Sequence, residues 1–463
     1  MPAYFAGKFI IVIFAIVKNT TDKILTYLLT PLSWVYGGVM WVRNKLFDTG
    51  ILPQVEFDVP VIGVGNITVG GTGKTPHTEY LVSQLCGSYK VAVLSRGYKR
   101  HTKGFLLANA KSSPETIGDE PWQIYNKFGM RAKVAVCESR KHGITRLLQL
   151  FPDLDLIILD DSFQHRWVKP RISILLMEYG RSVMQDHLLP LGRLRESRHE
   201  MNRADKVIVT KVPDTINPID LRVVVNELNL MKYQKLYFTG YQYESIQPVF
   251  SEEAKFAINI YSLSDKDAVL LLTGIAHPRA FVRHFSSYPF RIKVEHFPDH
   301  HNFTRKDLQR IQQRFQSMKG ERKLIITTEK DAVRLLHNPY FPQELKPFVY
   351  YQPISVKTLN GVHGNENNLI HDILNELRLE RYPDNNDISS ETGVGHNRVS
   401  DYVYNTDSRS EYNSDKRYDD NTDTIIETNT DSTSAYNTEY SGYPSRSEDD
   451  DYLHRDNVQS LDF

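Results

Sequence analysis

The stretch Val59–Glu79, reading VPVIGVGNITVGGTGKTPHTE, constrains this 463-residue chain more than any other. Val59-Pro-Val-Ile-Gly-Val is apolar and β-branched with no helical period, which predicts a short buried strand. The glycine turn Gly70-Gly71-Thr72-Gly73 follows, then Lys74-Thr75, and a helical pattern runs from Thr75 to Leu85. Strand, glycine loop, Lys-Thr and helix is the layout of a phosphate-binding loop. Glycines let backbone N–H groups converge on phosphate oxygens, and the helix N-terminus adds partial positive charge. The lysine reaches the outer phosphates and the threonine hydroxyl holds Mg²⁺. The strict motif has a glycine five residues before Gly73, where this chain has Thr68. The match is therefore to the second half of the motif, and a bare glycine turn is the competing reading.

Residues 51–234 continue as alternating strand and helix patterns. β-rich runs recur at Lys90–Leu94, Lys133–Cys137, Leu154–Asp160, Arg171–Met177 and Lys206–Thr210. That alternation predicts an α/β lobe of P-loop NTPase type, with a mostly parallel sheet covered by helices on both faces. Ligands bind such sheets at the carboxyl ends of the strands. There the chain carries Ser95-Arg96-Gly97-Tyr98, in which Arg96 suits a phosphate contact, and Gly118-Asp119-Glu120-Pro121, which also reads as an acidic helix cap. Arg140 opens a helix after the Lys133–Cys137 run. Leu156-Ile-Ile-Leu159 ends in Asp160-Asp161, followed by Phe163-Gln164-His165. An apolar strand ending in aspartate, downstream of a phosphate loop, is the carboxylate that holds Mg²⁺ or its water. In the loop Leu188–Glu196, Glu196 reads as a third metal-site carboxylate, and Arg193 and Arg195 as phosphate grips or partners of surface acids.

The aromatic, alternating segment 235–250 reads as a ribbon joining two lobes, and residues 251–380 as a second, smaller α/β unit whose last strand is Phe348–Pro353. Asp299-His300-His301 at the end of the Arg291–His296 run suits a histidine paired with a carboxylate for proton transfer, or a polar turn capping the next helix. The first 50 residues are apolar but interrupted. Phe9–Val17 is about half the length needed to cross a bilayer. Between Ile24 and Phe47, Trp34, Tyr36 and Trp41 sit beside Arg43 and Lys45, broken by Pro31 and Gly37-Gly38. This composition predicts helices lying in or against a membrane surface; core helices and a single-pass anchor over 9–29 also fit it. Residues 381–463 hold 19 Asp and Glu against 7 Lys and Arg, with few aliphatics, which predicts a disordered acidic tail. Residues 1–380 then carry 49 basic against 37 acidic residues, a balance suited to an anionic substrate or surface. Cys86 and Cys137 lack metal-ligand spacing and exclude a disulfide scaffold.

Taken in order, Gly65-Asn66, the 70–76 loop, Ser95–Tyr98, Gly118–Pro121, Asp160–His165, Leu189–Glu196, Asp299-His300 and Thr328-Glu329-Lys330-Asp331 resemble the tetraacyldisaccharide 4′-kinase family, over about Leu29 to Leu379. The absent first glycine is normal there. The resemblance implies an enzyme, peripheral or monotopic, at the cytoplasmic face of a bacterial inner membrane. Such an enzyme moves the γ-phosphoryl group of ATP, with Mg²⁺, to the 4′-hydroxyl of a lipid A disaccharide precursor, with no nucleic acid and no obligatory protein partner. It implies Gly70–Thr75 at the nucleotide, with Lys74 on the phosphates. Thr75, Asp160, Asp161 and Glu196 go to the metal and its waters, and Arg96, Arg140, His165 and Arg195 to the substrate. Asp119 would accept the hydroxyl proton and His300, from the other lobe, would orient or tune it. Residues 1–23 and the acidic tail have no counterpart in the family. A P-loop ATPase switch acting on a protein partner is the alternative.

Overall fold

The protein is described by a computed structural model over residues 26–254, 256–275, 278–299, 301–359 and 368–381. His300, the run Phe9–Val17 and the tail beyond Arg381 lie outside the described residues.

A helix over residues 26–48 (α1) comes first. The chain then runs β1 (Val61–Gly65), α2 (Lys74–Leu85), β2 (Val91–Ser95), β3 (Leu106–Leu107), α3 (Pro114–Ile117), α4 (Asp119–Phe128), β4 (Ala132–Val136), α5 (Arg140–Leu150), β5 (Leu156–Leu159), β6 (Ile172–Glu178), β7 (Lys206–Thr210), α6 (Pro218–Leu228) and β8 (Lys235–Tyr243). It continues through β9 (Gln247–Pro248), β10 (Ala268–Thr273), α7 (Arg279–Ser286), β11 (Arg291–His296), α8 (Arg305–Gln316), β12 (Lys323–Thr328), α9 (Glu329–Leu336), β13 (Val349–Gln352), β14 (Ile354–Leu359) and α10 (Leu369–Arg381). Nine strands form one sheet in the order β14-β8-β7-β6-β1-β5-β2-β4-β3, and five form another, β11-β10-β12-β13-β9. The seven strands from β8 to β4 are parallel, with β14 and β3 antiparallel at the edges.

β1 is buried along its whole length because parallel crossovers cover both faces. Ile62 and Val64 face one core with Leu81, Val82 and Leu85 of α2, while Val61 faces the other with Ile144 and Leu147 of α5. The second sheet repeats this. Leu270 and Leu272 pack on Leu308 and Ile311 of α8, and Val269 and Leu271 on Phe281 and Phe285 of α7. The two parts meet where Ile117 and Trp122 pack on Val333 of α9.

Three stretches differ from their sequence patterns. Pro31 and Gly37-Gly38 do not divide the first segment: α1 runs through them, and Gly37 is where the helix closes on Leu188, since a Cβ there would lie 2.7 Å from Leu188 Cδ1. The 235–250 ribbon is mostly β8, paired in register with β7, so its aromatic alternation reflects a strand near the sheet edge. The strand after β13 is a further one, β14, which returns antiparallel to β8, and α10 then docks on the large sheet through Leu369, Ile370, Ile373 and Leu377. No helix among the described residues is long and apolar enough to cross a membrane.

Because Ile373 is fully buried in the core of the large sheet, Ile373→Ala is expected to cost about 2–5 kcal/mol, for the lost side chain and the cavity left behind. Urea unfolding monitored by circular dichroism measures it; a loss under about 1 kcal/mol would mean that α10 does not complete that core.

Candidate active site

The glycine loop lies between the carboxyl end of β1 and the start of α2, and the sheet holds it from several sides. Asn66 donates its side-chain N–H to Thr72 Oγ1 (2.8 Å), and Thr210, at the end of β7, donates its hydroxyl to the Thr72 carbonyl (2.8 Å). Gly73 has φ 90°, a region that favours glycine, and a Cβ there would lie 2.2 Å from the Tyr241 hydroxyl. His77, one turn into α2, has Nδ1 2.7 Å from the Gly73 carbonyl and Nε2 2.9 Å from Thr239 Oγ1. A carbonyl only accepts, so Nδ1 carries the proton and Nε2 accepts from the threonine. Burial pushes the His77 pKa down to about 4, so the ring is neutral.

Lys74 opens α2 with its Nζ 3.7 Å from Asp161 Oδ1. Asp160, at the end of the neighbouring β5, is buried; it accepts from Thr78 Oγ1 (3.1 Å) and Ser95 Oγ (3.4 Å). Burial, then the nearby Glu120 and Asp161, push its carboxyl up to about 7 against the opposing charge of Lys74. A buried carboxylate among acidic neighbours is the kind of group a divalent cation relieves. The oxygen donors of Thr75, Asp160 and Asp161, at adjacent strand ends, fit Mg²⁺, which takes one or two carboxylates and completes its shell with phosphate and water.

The other expected site residues divide. Arg195 joins the group, with Nη1 3.4 Å from Asp161 Oδ1 and 3.4 Å from Gln164 Oε1. Arg96 is exposed at the end of β2. Arg140 is only 2 % exposed and donates to the carbonyls of Cys137 (3.2 Å), Asp160 (3.1 Å) and Asp161 (3.4 Å). In that position it braces the aspartate turn. His165 accepts from the Arg140 N–H (3.2 Å), and burial, followed by the charge of Arg140, pushes its pKa down to about 4. It is a neutral prop for the same turn. Glu196 is fully buried and faces Arg43 (3.2 Å) and Arg203, so its carboxylate ties α1 to the 188–203 segment. Among the described residues no three His, Cys, Asp or Glu side chains gather around a common point.

Asp119, at the first position of α4, meets Arg334 of α9. Its Oδ2 accepts from Arg334 Nε (3.0 Å) and Nη2 (2.7 Å). Arg334 is held in turn by Asp331 (2.9 Å), whose other oxygen accepts from Gly274 N–H (2.8 Å) and Thr328 Oγ1 (2.7 Å). The Thr328–Asp331 motif thus caps α9 and aims Arg334 across to Asp119. Beside it Lys127 lies between Glu79 (2.7 Å) and Glu329 (2.6 Å).

The family described as tetraacyldisaccharide-1-P 4′-kinase matches residues 25–375. The chain belongs to this family. A tetraacyldisaccharide 4′-kinase of Bacteroides thetaiotaomicron is 50 % identical over 340 residues, covering 72 % of this chain and 89 % of the relative. One from Porphyromonas gingivalis is 42 % identical over 341 residues, covering 72 % and 92 %. A crystal structure of LpxK from Aquifex aeolicus in complex with ATP superposes with a TM-score of 0.58 at 27 % identity, covering 76 % of this chain and 99 % of that one.

Several residues of the site carried no recognisable signal in the sequence. Tyr241 and Thr239 lie in a segment that reads as a linker, and Arg334 is one arginine on an amphipathic helix. His77, two residues beyond Lys74-Thr75, was the one with a positional cue.

The neutral His77 makes stability depend on pH. Between about pH 6.5 and 4 the unfolded chain takes up a proton that the folded one refuses, so this contribution is complete above pH 6.5 and is lost as pH falls toward 4. The loss amounts to at most about 3 kcal/mol. His77→Gln is expected to flatten that limb of a stability-against-pH curve from chemical denaturation; an unchanged slope would show that His77 is not held neutral.

Proposed function

We propose that this chain transfers the γ-phosphoryl group of ATP to the 4′-hydroxyl of tetraacyldisaccharide 1-phosphate at the carboxyl edge of the large sheet. The observation that carries the reading is the convergence of the glycine loop and Lys74, after β1, with Asp160 and Asp161, after the neighbouring β5, in a chain of this kinase family. Backbone N–H groups of the loop and the start of α2 receive the donor phosphates, and Lys74 neutralises their outer charge. Thr75, Asp160 and Asp161 would hold Mg²⁺, which would supply charge neutralisation for the phosphoryl group in transfer when bound. Arg195 stands beside Asp161, and this reading gives it to the acceptor.

Asp119 accepts the proton of the attacking hydroxyl in this reading, with His300 orienting or tuning it. Arg334 supports the assignment of Asp119 by holding one carboxylate oxygen in place from the second sheet. Phosphoryl transfer depends on positioning and electrostatics, so a base of modest strength suffices.

The acceptor in this reading is a lipid, and the exposed face of α1 supports contact with a bilayer. Its inner face is tied to the site: Ser33 bonds the Leu188 carbonyl (3.0 Å) and Tyr36 the Arg195 carbonyl (2.7 Å). Leu28, Leu32, Trp34, Val35, Val39 and Trp41 are exposed on the rest. A helix with this division lies in the interface, which fits a peripheral enzyme on the cytoplasmic face of the inner membrane.

Purified protein with Mg-ATP and tetraacyldisaccharide 1-phosphate in detergent is expected to give a product heavier by one phosphate at the 4′ position, read by mass spectrometry. Lys74→Ala and Asp119→Asn should each lower turnover by about 100-fold or more. Absence of that product from the wild type sinks the kinase assignment; full turnover in Asp119→Asn sinks only the role of Asp119.

A further inference from the structure

The loop after β2 folds into an open pocket of about 400 Å³ whose chemistry, Arg96 apart, the reading above leaves unused. Arg96, Lys99, Arg100, His101 and Lys103 line it, with Glu138 as the acidic member. The loop is tightly made. Gly97 has φ 72°, and a Cβ there would lie 2.5 Å from Arg100 Cδ, so glycine is what lets Arg100 fold back under the loop. His101 N–H donates to the Glu115 carbonyl (2.8 Å) and Thr102 Oγ1 to the Thr116 carbonyl (2.6 Å), which pins the loop to α3.

Arg100 is the informative side chain. Only 2 % of it is exposed. Its Nη2 donates to Glu138 Oε1 (2.6 Å) and the Gly104 carbonyl (2.6 Å), while Nε and Nη1 are buried with no hydrogen-bond partner among the described residues. Leaving two donors of a buried guanidinium unpaired is costly; both nitrogens are closed to solvent under the Gly97 turn, so a phosphate at the mouth reaches them when the guanidinium turns outward, and its oxygens then accept from both. Lys99 and Lys103 are exposed at the same mouth.

The pocket adjoins both halves of the site. Ser95, just before it, bonds Asp160, and the Gly97–Tyr98 backbone rests on Gly118, where a Cβ would lie 3.0 Å from the Tyr98 carbonyl. Gly118 directly precedes Asp119. We infer that this pocket is an anion subsite that takes the 1-phosphate of the acceptor, so that one molecule presents its hydroxyl at Asp119 and its phosphomonoester to Arg100, Lys99 and Lys103. The inference rests on the kinase reading and adds to it the element that selects a phosphorylated acceptor.

The test is steady-state kinetics in detergent micelles with tetraacyldisaccharide 1-phosphate and with the same lipid lacking the 1-phosphate. Arg100→Gln is expected to raise the KM for the phosphorylated acceptor about tenfold or more, and the exposed double variant Lys99→Gln/Lys103→Gln several-fold, with the KM for ATP within about twofold of wild type. On the dephosphorylated lipid, wild type and variants should be alike. The double variant guards against a folding defect in Arg100→Gln. An unchanged acceptor KM, a penalty that persists on the dephosphorylated lipid, or a shift in the ATP KM instead would each overturn the subsite. Should the wild type form no 4′-phosphate, the kinase reading fails. Binding of the 1-phosphate lipid micelles without ATP then decides the pocket alone: weaker binding by both variants supports it, and equal binding overturns it.

Discussion

Parallel pairing of β1 with β5 on one side and β6 on the other is the constraint on which the site depends. A parallel neighbour is reached only by a crossover, so each strand must end in a loop at the same edge before a helix carries the chain back. The segments 66–73, 95–104, 160–166 and 210–214 are therefore neighbours in space although they span about 150 positions in sequence. β1 lies centrally, and its loop receives support from β7 through Thr210 and from β8 through Thr239 and Tyr241. A phosphate loop held from this many directions is preorganised, which suits a reaction driven by positioning.

The second sheet contributes through α9. Asp331 is completely buried and spends its oxygens on Gly274, Thr328 and Arg334, so the guanidinium that reaches Asp119 is aimed by a fixed turn. Close by, burial and the charge of Glu79 push Glu329 up to about 7, with Lys127 opposing. The helices of the two sheets thus meet through charged groups that are partly desolvated, around a small apolar patch of Ile117, Trp122 and Val333. Such contacts are sensitive to removal of either partner, because the remaining charge is left unpaired.

α1 links the apolar exterior to the chemistry. Arg43 reaches Glu196 and the Gln164 carbonyl, and Arg166 reaches Asp48 (2.8 Å) and the Asn44 carbonyl (3.1 Å). The 160–166 and 188–196 loops, which carry Asp161 and Arg195, are therefore held against the same helix that exposes tryptophan and leucine outward. Glu196 and Arg140, whose chemistry also suits a ligand, both take part in this bracing.

The sequence by itself determined the local elements and the phosphate loop. Glycines at fixed offsets before Lys-Thr, apolar runs ending in aspartate, and alternating strand and helix patterns are short-range signals that need no partner to be read. It also carried the ordered motifs that point to the family. Tertiary structure alone decided which polar side chains stay exposed at the strand ends and which are spent on the protein itself. Arg96 and Arg140 look alike in sequence, but one is exposed and the other is buried against three carbonyls, because burial is set by what packs over a loop from distant segments. The same holds for β8, read as a ribbon until β7 and β14 are seen to flank it, and for Arg334, whose meeting with Asp119 spans 215 positions. Pairing and packing over such separations leave no local trace in the sequence, since the partners of a side chain are chosen by the fold and not by its neighbours along the chain.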